Sequence, residues 1–312
     1  MTFNYSAFGM DLRSEFPLPG MTPRKPSAVR SLSLQLTTPT TLFDAWSGAE
    51  DARRWRGLLG DGHELSISRG PASDLLFGYG DRAHFRLDPS ANRLECAPSR
   101  AGRGWRRTLL ARILPNVRLA HGYEALHASA VASSRGVVAI AGPSGAGKTT
   151  LALELMSRGM SLVGDDVLLL SAGPCGVLGH PATPHMNVDK RAPVPVEHDE
   201  LAQFGEERWI QVLDSAPVPQ CVDAICLLQR GGDLLLDAEA LPGTPLALAP
   251  YMLGLPDGDA VRERRRFELY SNLTERCALL RLTGGLDDGV EQLADRLEAA
   301  LGAERFAMHG AL

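Results

Sequence analysis

Residues 136–170, GVVAIAGPSGAGKTTLALELMSRGMSLVGDDVLLL, decide the fold. The stretch reads as a strand, a glycine-rich loop, a helix, a turn and a second strand. Val137–Ala141 is a short apolar run with the β-branched content of a buried strand. Gly142, Pro143, Ser144, Gly145, Ala146, Gly147, Lys148 and Thr149 then fit G-x-x-x-x-G-K-[ST] without a gap. Average residue frequencies would produce that match by chance in only about one chain in a hundred of this length. After it, Thr150 and Leu151–Gly159 bring Leu151, Leu155 and Met156 to one helical face and stop at a glycine suited to a C-terminal cap.

Each position in the loop has a chemical reason. Glycines let successive backbone N–H groups turn inward around an anion, where a Cβ would crowd the phosphates. Lys148 supplies a mobile positive charge for the β- and γ-phosphates, Thr149 a hydroxyl for Mg²⁺, and the helix directs its positive dipole end at the same anion. The loop therefore predicts a nucleoside triphosphate with Mg²⁺, bound by Gly142–Thr149 with Thr150 next to it; ATP is the leading reading, with the base left open by the loop. Asp165 and Asp166 follow Gly164 after the helix. In an extended segment they would face opposite ways and divide their tasks, one holding Mg²⁺ and the other accepting the proton of an attacking hydroxyl. A pair of Asp residues at a turn also serves simply to bond neighbouring N–H groups.

Upstream, LHASAVA (126–132), the polar turn Ser133–Gly136 and VVAIAG read as a hairpin whose second strand enters the loop. His127 opens the first strand of that hairpin, a position more often structural than chemical. Residues 1–118 carry short β-like runs (LRSEFPLPG, LSLQL, HELSISRG, LLFGYGDRAHFRLD) and no recognisable acid–base pair, so we expect a β-rich domain of unknown role there. GWRRTLLARILPNVRLA places Leu109, Leu110, Ile113 and Leu114 on one face of a short helix that Pro115 is expected to stop, marking the junction with a second domain over 119–312. Further on, VDAICLLQRGGDLLLDA predicts a strand pair around Gly231 and Gly232, and VEQLADRLEAAL an amphipathic helix.

The 312 residues are 44% hydrophobic and 22% charged, enough apolar material for a sizeable core and for about two domains. A net charge of −5 gives no general attraction to phosphate backbones or anionic lipid, so nucleic-acid and membrane-surface partners are not expected. No apolar run approaches the ~18 residues of a membrane helix, and MTFNYSAFGMDLR lacks a secretion signal's basic region and apolar core. The expected location is cytoplasmic. The odd set Cys96, Cys175, Cys221, Cys226 and Cys277 reads as reduced, mostly buried thiols.

Two further features stand apart. Leu178–Lys190 carries His180 and His185 with two prolines, and reads as a loop that could cover nucleotide or substrate; no third ligand lies near enough for a metal. Arg262, Arg264, Arg265 and Arg266 form the strongest basic cluster, either a solvated helix face or a clamp on phosphate or an acidic acceptor.

The order LHASAVA, hairpin, GPSGAGKTT, helix, RGMSLVGDDVLLL resembles the catalytic domain of HPr kinase/phosphorylase. It resembles still more the HPr kinase-related proteins, a group that includes lasso-peptide precursor kinases. The opening FGMDLRSEFPLPGM is similar to the start of those relatives. The resemblance is specific over Tyr123–Leu170. It implies an α/β fold: a P-loop, phosphoenolpyruvate carboxykinase-like catalytic domain of mixed sheet topology behind the N-terminal β-rich domain. It further implies Lys148 and Thr149 on phosphates and metal, Asp166 as catalytic base, Asp165 as metal or positioning partner, and His127 as a site residue. Bacterial HPr kinase has Glu after its P-loop Lys-Ser; Thr150 stands at that point here. The later glycine-rich signature tied to phosphorolysis has at best a distant echo in LLQRGGD. The expectation is therefore a one-way Ser kinase acting on a peptide or small protein, in which homo-oligomerisation is left open. A nucleotide-operated binding switch and a small-molecule hydroxyl kinase are the other readings of the same motifs.

Overall fold

The computed structural model describes residues 1–25, 31–46, 53–58, 64–70, 73–99, 104–255 and 260–309, with the backbone alone at 53–56, 58 and 304–309. The chain divides into two units, the first Met1–His121 joined by Gly254 and Leu255 among the described residues, the second the remainder from Gly122.

The first unit is one eight-stranded sheet. Its strands are β1 (Phe3–Ala7), β2 (Met10–Ser14), β3 (Leu32–Leu36), β4 (Arg53–Leu58), β5 (Glu64–Arg69), β6 (Leu75–Tyr79), β7 (Ala83–Asp88) and β8 (Arg93–Pro98), in the order β1-β2-β3-β8-β7-β6-β5-β4. β7 buries Ala83, Phe85 and Leu87 and leaves His84, Arg86 and Asp88 half-buried, the period-2 pattern of a sheet packed on one face. The short helix α1 (Pro39–Asp44), capped by the Thr38 hydroxyl, lies against β7 and β8.

Pro115 does not stop its helix. α2 (Trp105–Thr108) runs through a π turn, Leu109–Ile113, directly into α3 (Leu114–Ala120), with Pro115 in the first turn of α3. The π turn carries the Leu114 N–H back to the Leu109 carbonyl, so the ring enters where the ordinary i→i−4 ladder is already interrupted. Leu109, Leu110, Ile113 and Leu114 are all buried, as their spacing predicts.

The second unit is built on a mixed sheet. Its elements are β9 (Glu124–Leu126), β10 (Ala128–Ser133), β11 (Gly136–Ala141), α4 (Lys148–Ser157), β12 (Ser161–Gly164), β13 (Leu168–Gly173), β14 (Gly176–His180), β15 (His185–Asp189), β16 (His198–Phe204), β17 (Glu207–Val212), β18 (Gln220–Arg230), β19 (Asp237–Ala240), a 3₁₀ helix (Pro245–Tyr251), β20 (Met252–Leu253), α5 (Ala260–Arg276), β21 (Ala278–Gly284) and α6 (Val290–His309). β10 and β11 form the expected hairpin, with Ser133 opposite Gly136. β11, β18 and β21 lie side by side and parallel, and the long strand β18 also pairs its first residues antiparallel to β14.

Helices cover both faces of this sheet, which is why VVAIA is continuously apolar instead of alternating. Val138 and Ile140 pack with Leu151 and Leu155 of α4 and Leu293 and Leu297 of α6. Val137, Ala139 and Ala141 pack on the opposite side with Tyr270 and Leu273 of α5. β15, β17 and β16 form a separate three-stranded sheet in that order.

Three sequence expectations need correction here. Residues 178–190 are not a loop: their ends are strands β14 and β15, and Pro181–Pro184 alone connects them. β18 and β19 do not pair with each other, because β21 lies between them and bonds to both. Cys175, in the turn between β13 and β14, is disulfide-bonded to Cys221 at the start of β18, with their Cα atoms 6.1 Å apart. The Leu178–Cys221 register of β14 on β18 brings together two cysteines 46 residues apart in sequence. Cys96, Cys226 and Cys277 are buried thiols, and desolvation pushes Cys226 and Cys277 up to about 12. Among the described residues, no helix is long and apolar enough to cross a membrane.

Candidate functional site

The glycine-rich loop leaves the end of β11 and feeds α4. Gly142 passes so close to β18 that a Cβ there would lie 2.6 Å from the Leu228 carbonyl oxygen, and Gly147, at the start of the helix, has φ +94°. Glycine is required at both, by contact at the first and by conformation at the second. Pro143, Ser144 and Gly145 form an exposed crown, Ala146 is buried, and the Ala146 N–H closes a turn on the Pro143 carbonyl at 3.2 Å.

Lys148 is buried, and its Nζ donates to the carbonyls of Gly142 and Pro143 at 3.0 Å each. Burial draws its pKa below the ordinary lysine value, with the Asp166 and Asp165 carboxylates opposing. The ammonium is thus folded over the loop it springs from. Thr150, by contrast, is exposed on the first turn of α4.

Thr149 faces the acidic pair. Its hydroxyl donates to Asp165 Oδ1 at 3.0 Å, and Ser129 of β10 donates to the same oxygen at 2.6 Å. Asp165 Oδ2 accepts from the Asn187 N–H of β15 at 3.1 Å. Three strands or their ends and α4 therefore meet on one carboxylate. Desolvation, with Asp166 adding to it, pushes Asp165 up to about 6 despite these donors.

The two carboxylates do not point to opposite sides. Asp166 has φ +67°, so the segment after β12 is not extended; it bends there. Asn187 then receives both, through its N–H on Asp165 and its Nδ2 on Asp166 Oδ2 at 3.4 Å. His127 sits at the break between β9 and β10, where its N–H donates to the Tyr251 carbonyl at 2.7 Å and its Nδ1 donates to the Asp166 carbonyl at 2.9 Å. The ring therefore grips the backbone of the strained residue, with Nδ1 carrying a proton.

The structure gathers Lys148, Thr149, Asp165, Asp166 and His127 in one place. Ser129 and Asn187 join them and were not singled out from sequence. Ser129 had a signal, as the one hydroxyl in the otherwise apolar strand ASAVA; Asn187, between Met186 and Val188, had only its polarity. The other candidates stay elsewhere. His180 bonds the Ser171 hydroxyl at 2.8 Å and meets the Tyr123 ring, and His185 packs on Trp209. Arg266 donates to Glu124 at 2.8 Å with Arg262 at 3.7 Å from the same carboxylate, so these two hold α5 to β9. Arg264 pairs with Glu268, and Arg265 is exposed.

A pH prediction follows from Asp165. Its raised pKa means that the fold favours the protonated form, so its contribution to stability is full below the ordinary carboxylate range and is lost as pH rises through about 6. Cation binding needs the opposite, ionised form. Any Mg²⁺ held by this carboxylate should therefore bind more weakly as pH falls through about 6 while the fold persists. Titration calorimetry from pH 5 to 8 beside circular dichroism checks this; affinity flat across that range would refute it.

No protein-family model matches the chain, and none of the curated proteins does. Among solved structures, the HPr(Ser) kinase/phosphatase from Coxiella burnetii matches with a TM-score of 0.35 and 17% identity, over 60% of this chain and 93% of that one.

Proposed function

We propose that this chain is an ATP-dependent, Mg²⁺-requiring kinase that transfers the γ-phosphoryl group to a Ser hydroxyl of a peptide or small protein. The observation that carries the reading is the Thr149 hydroxyl on Asp165 at 3.0 Å, which joins the phosphate-type loop to the acidic pair. Thr149 and Asp165 offer the hard oxygen donors that Mg²⁺ takes, and Asn187 Oδ1, on a residue that bonds both carboxylates, is buried with no hydrogen-bond partner. Bound there, Mg²⁺ would neutralise charge on the phosphates.

The rest falls to the chain itself. Lys148 exchanges two loop carbonyls for phosphate oxygens, and the loop crown receives the triphosphate. Asp166, turned toward the same side as Asp165, takes the proton of the attacking hydroxyl as its oxygen bonds to the γ-phosphorus and the bond to the β,γ-bridging oxygen breaks. His127 is a positioning residue, holding the Asp166 backbone. Thr150, a neutral exposed side chain, brings no further carboxylate to this site, in keeping with a one-way reaction.

The test is incubation with γ-labelled ATP, Mg²⁺ and the peptide or protein encoded beside this chain in its genome. Label on a Ser of that partner is the expected result, with no rapid loss when the phosphorylated product is offered inorganic phosphate. Hydrolysis without transfer would favour a switch, and label on a small molecule a smaller acceptor.

A further inference from the structure

The carboxyl ends of β11, β18 and β21 face the same edge of the sheet, β18 and β21 continuing three residues past the end of β11. β11 runs into the glycine-rich loop; on β18, Arg230 stands opposite Gly284 of β21, where both strands end. Beyond those two ends is a groove of about 340 Å³ lined by Leu234, Leu235, Leu236, Leu286, Asp287 and Asp288. Leu235 is 83% exposed and Leu286 70%, so leucine side chains stand bare on part of a lining that also carries carboxylates.

Its walls are held in shape from behind. Thr283 Oγ1 donates to the Leu235 carbonyl at 2.7 Å, and Arg230 donates to the carbonyls of Leu286 and Asp288 at 3.1 and 3.0 Å. Asp288 is occupied by the Gly285 N–H at 2.6 Å, whereas Asp287 is exposed on the rim. Ligand sites of open α/β sheets lie outside the carboxyl ends of the strands, and this groove lies there, on the same edge as the loop. α4 and α6, which follow the first and third of these strands, pack on the same face of the sheet.

Carboxylates on the rim repel phosphate, and leucine walls take a flat, uncharged group. Two strand spacings across the sheet, about 10 Å, and three further residues of strand, about 10 Å along it, put the β21 end about 14 Å from the β11 end, so an extended ligand with its phosphates on the loop can place its other end here. We propose that the groove is the subsite for the nucleotide's base, the leucines covering its faces and Asp287 accepting from an exocyclic amino group. A purine carrying that group, as in ATP, is the ligand it fits. This inference rests on the nucleotide reading above.

Calorimetry with Mg²⁺ and three probes, ATP, UTP and inorganic triphosphate, tests it. Wild type should bind ATP at least about tenfold more tightly than triphosphate. Leu235→Ser and Leu286→Ser, both at exposed positions that folding does not depend on, should bring ATP to within about threefold of triphosphate and leave triphosphate affinity unchanged. Asp287→Ala should narrow the gap between ATP and UTP. Equal affinity of wild type for ATP and triphosphate, or variants that keep the full advantage of ATP, would overturn the base subsite and leave the loop assignment standing. Failure of wild type to bind any of the three would overturn both.

Discussion

Lys148→Ala is expected to lower phosphoryl transfer by 10² or more, about 3 kcal/mol of transition-state stabilisation, while the protein still folds. The loop keeps its shape through Gly142, which cannot carry a Cβ against the Leu228 carbonyl, and Gly147 at φ +94°. What the substitution removes from the folded state is two hydrogen bonds, from Nζ to the Gly142 and Pro143 carbonyls, and the ammonium's attraction to Asp166 and Asp165. Pro143 is exposed, so water replaces one of them, and the loss of stability should stay near 1–2 kcal/mol. Steady-state transfer and a urea melt on the same preparation separate the two effects. Wild-type turnover in the variant would remove the loop from the chemistry. A collapse of the melt would make Lys148 a structural tether first.

Local pattern carried the core of the second unit. The hairpin of β10 and β11, the loop and α4 were legible because each rests on neighbours in sequence: a polar turn, a glycine motif, and apolar residues at helical spacing. Strand order was not legible, since nothing in VDAICLLQRGGDLLLDA tells that β21, some forty residues later, comes between β18 and β19. The same limit hid the Cys175–Cys221 bond, which exists only because β14 and β18 pair. Pro115 misled for another reason: a prohibition on proline holds for the α ladder, and the π turn at Leu109–Ile113 had already broken it.

The site divides in the same way. Lys148 and Thr149 come with the loop motif, and adjacent aspartates are visible to any reader of the chain. Their orientation is not, because the alternation of an extended strand fails at a residue with φ +67°. Ser129 and Asn187 arrive from strands 36 and 22 residues from Asp165 and could be recognised only after the sheet was assembled. The arginine cluster shows the reverse: two of its four members, conspicuous in sequence, are consumed by the buried Glu124.

Asp166 supplies the sharpest test of chemistry against structure, because its backbone conformation and its carboxylate can be varied separately. Asn tolerates the left-handed region nearly as well as Asp and keeps an oxygen for the Asn187 Nδ2, so Asp166→Asn changes charge and little else. Transfer should fall by about 10² to 10⁴ with ATP affinity nearly unchanged, the pattern of a lost general base. Asp166→Gly removes the carboxylate too but relieves the backbone, so it should be equally inactive and at least as stable as wild type, with a gain of up to about 1 kcal/mol. Asp165→Asn should differ from both by weakening Mg²⁺ dependence, since it disturbs the carboxylate that Thr149 and Ser129 address. If Asp166→Asn transfers phosphate normally while Asp165→Asn does not, the two roles are exchanged. If Asp166→Gly is active, the turn needs only its shape, and the proton must leave by another group.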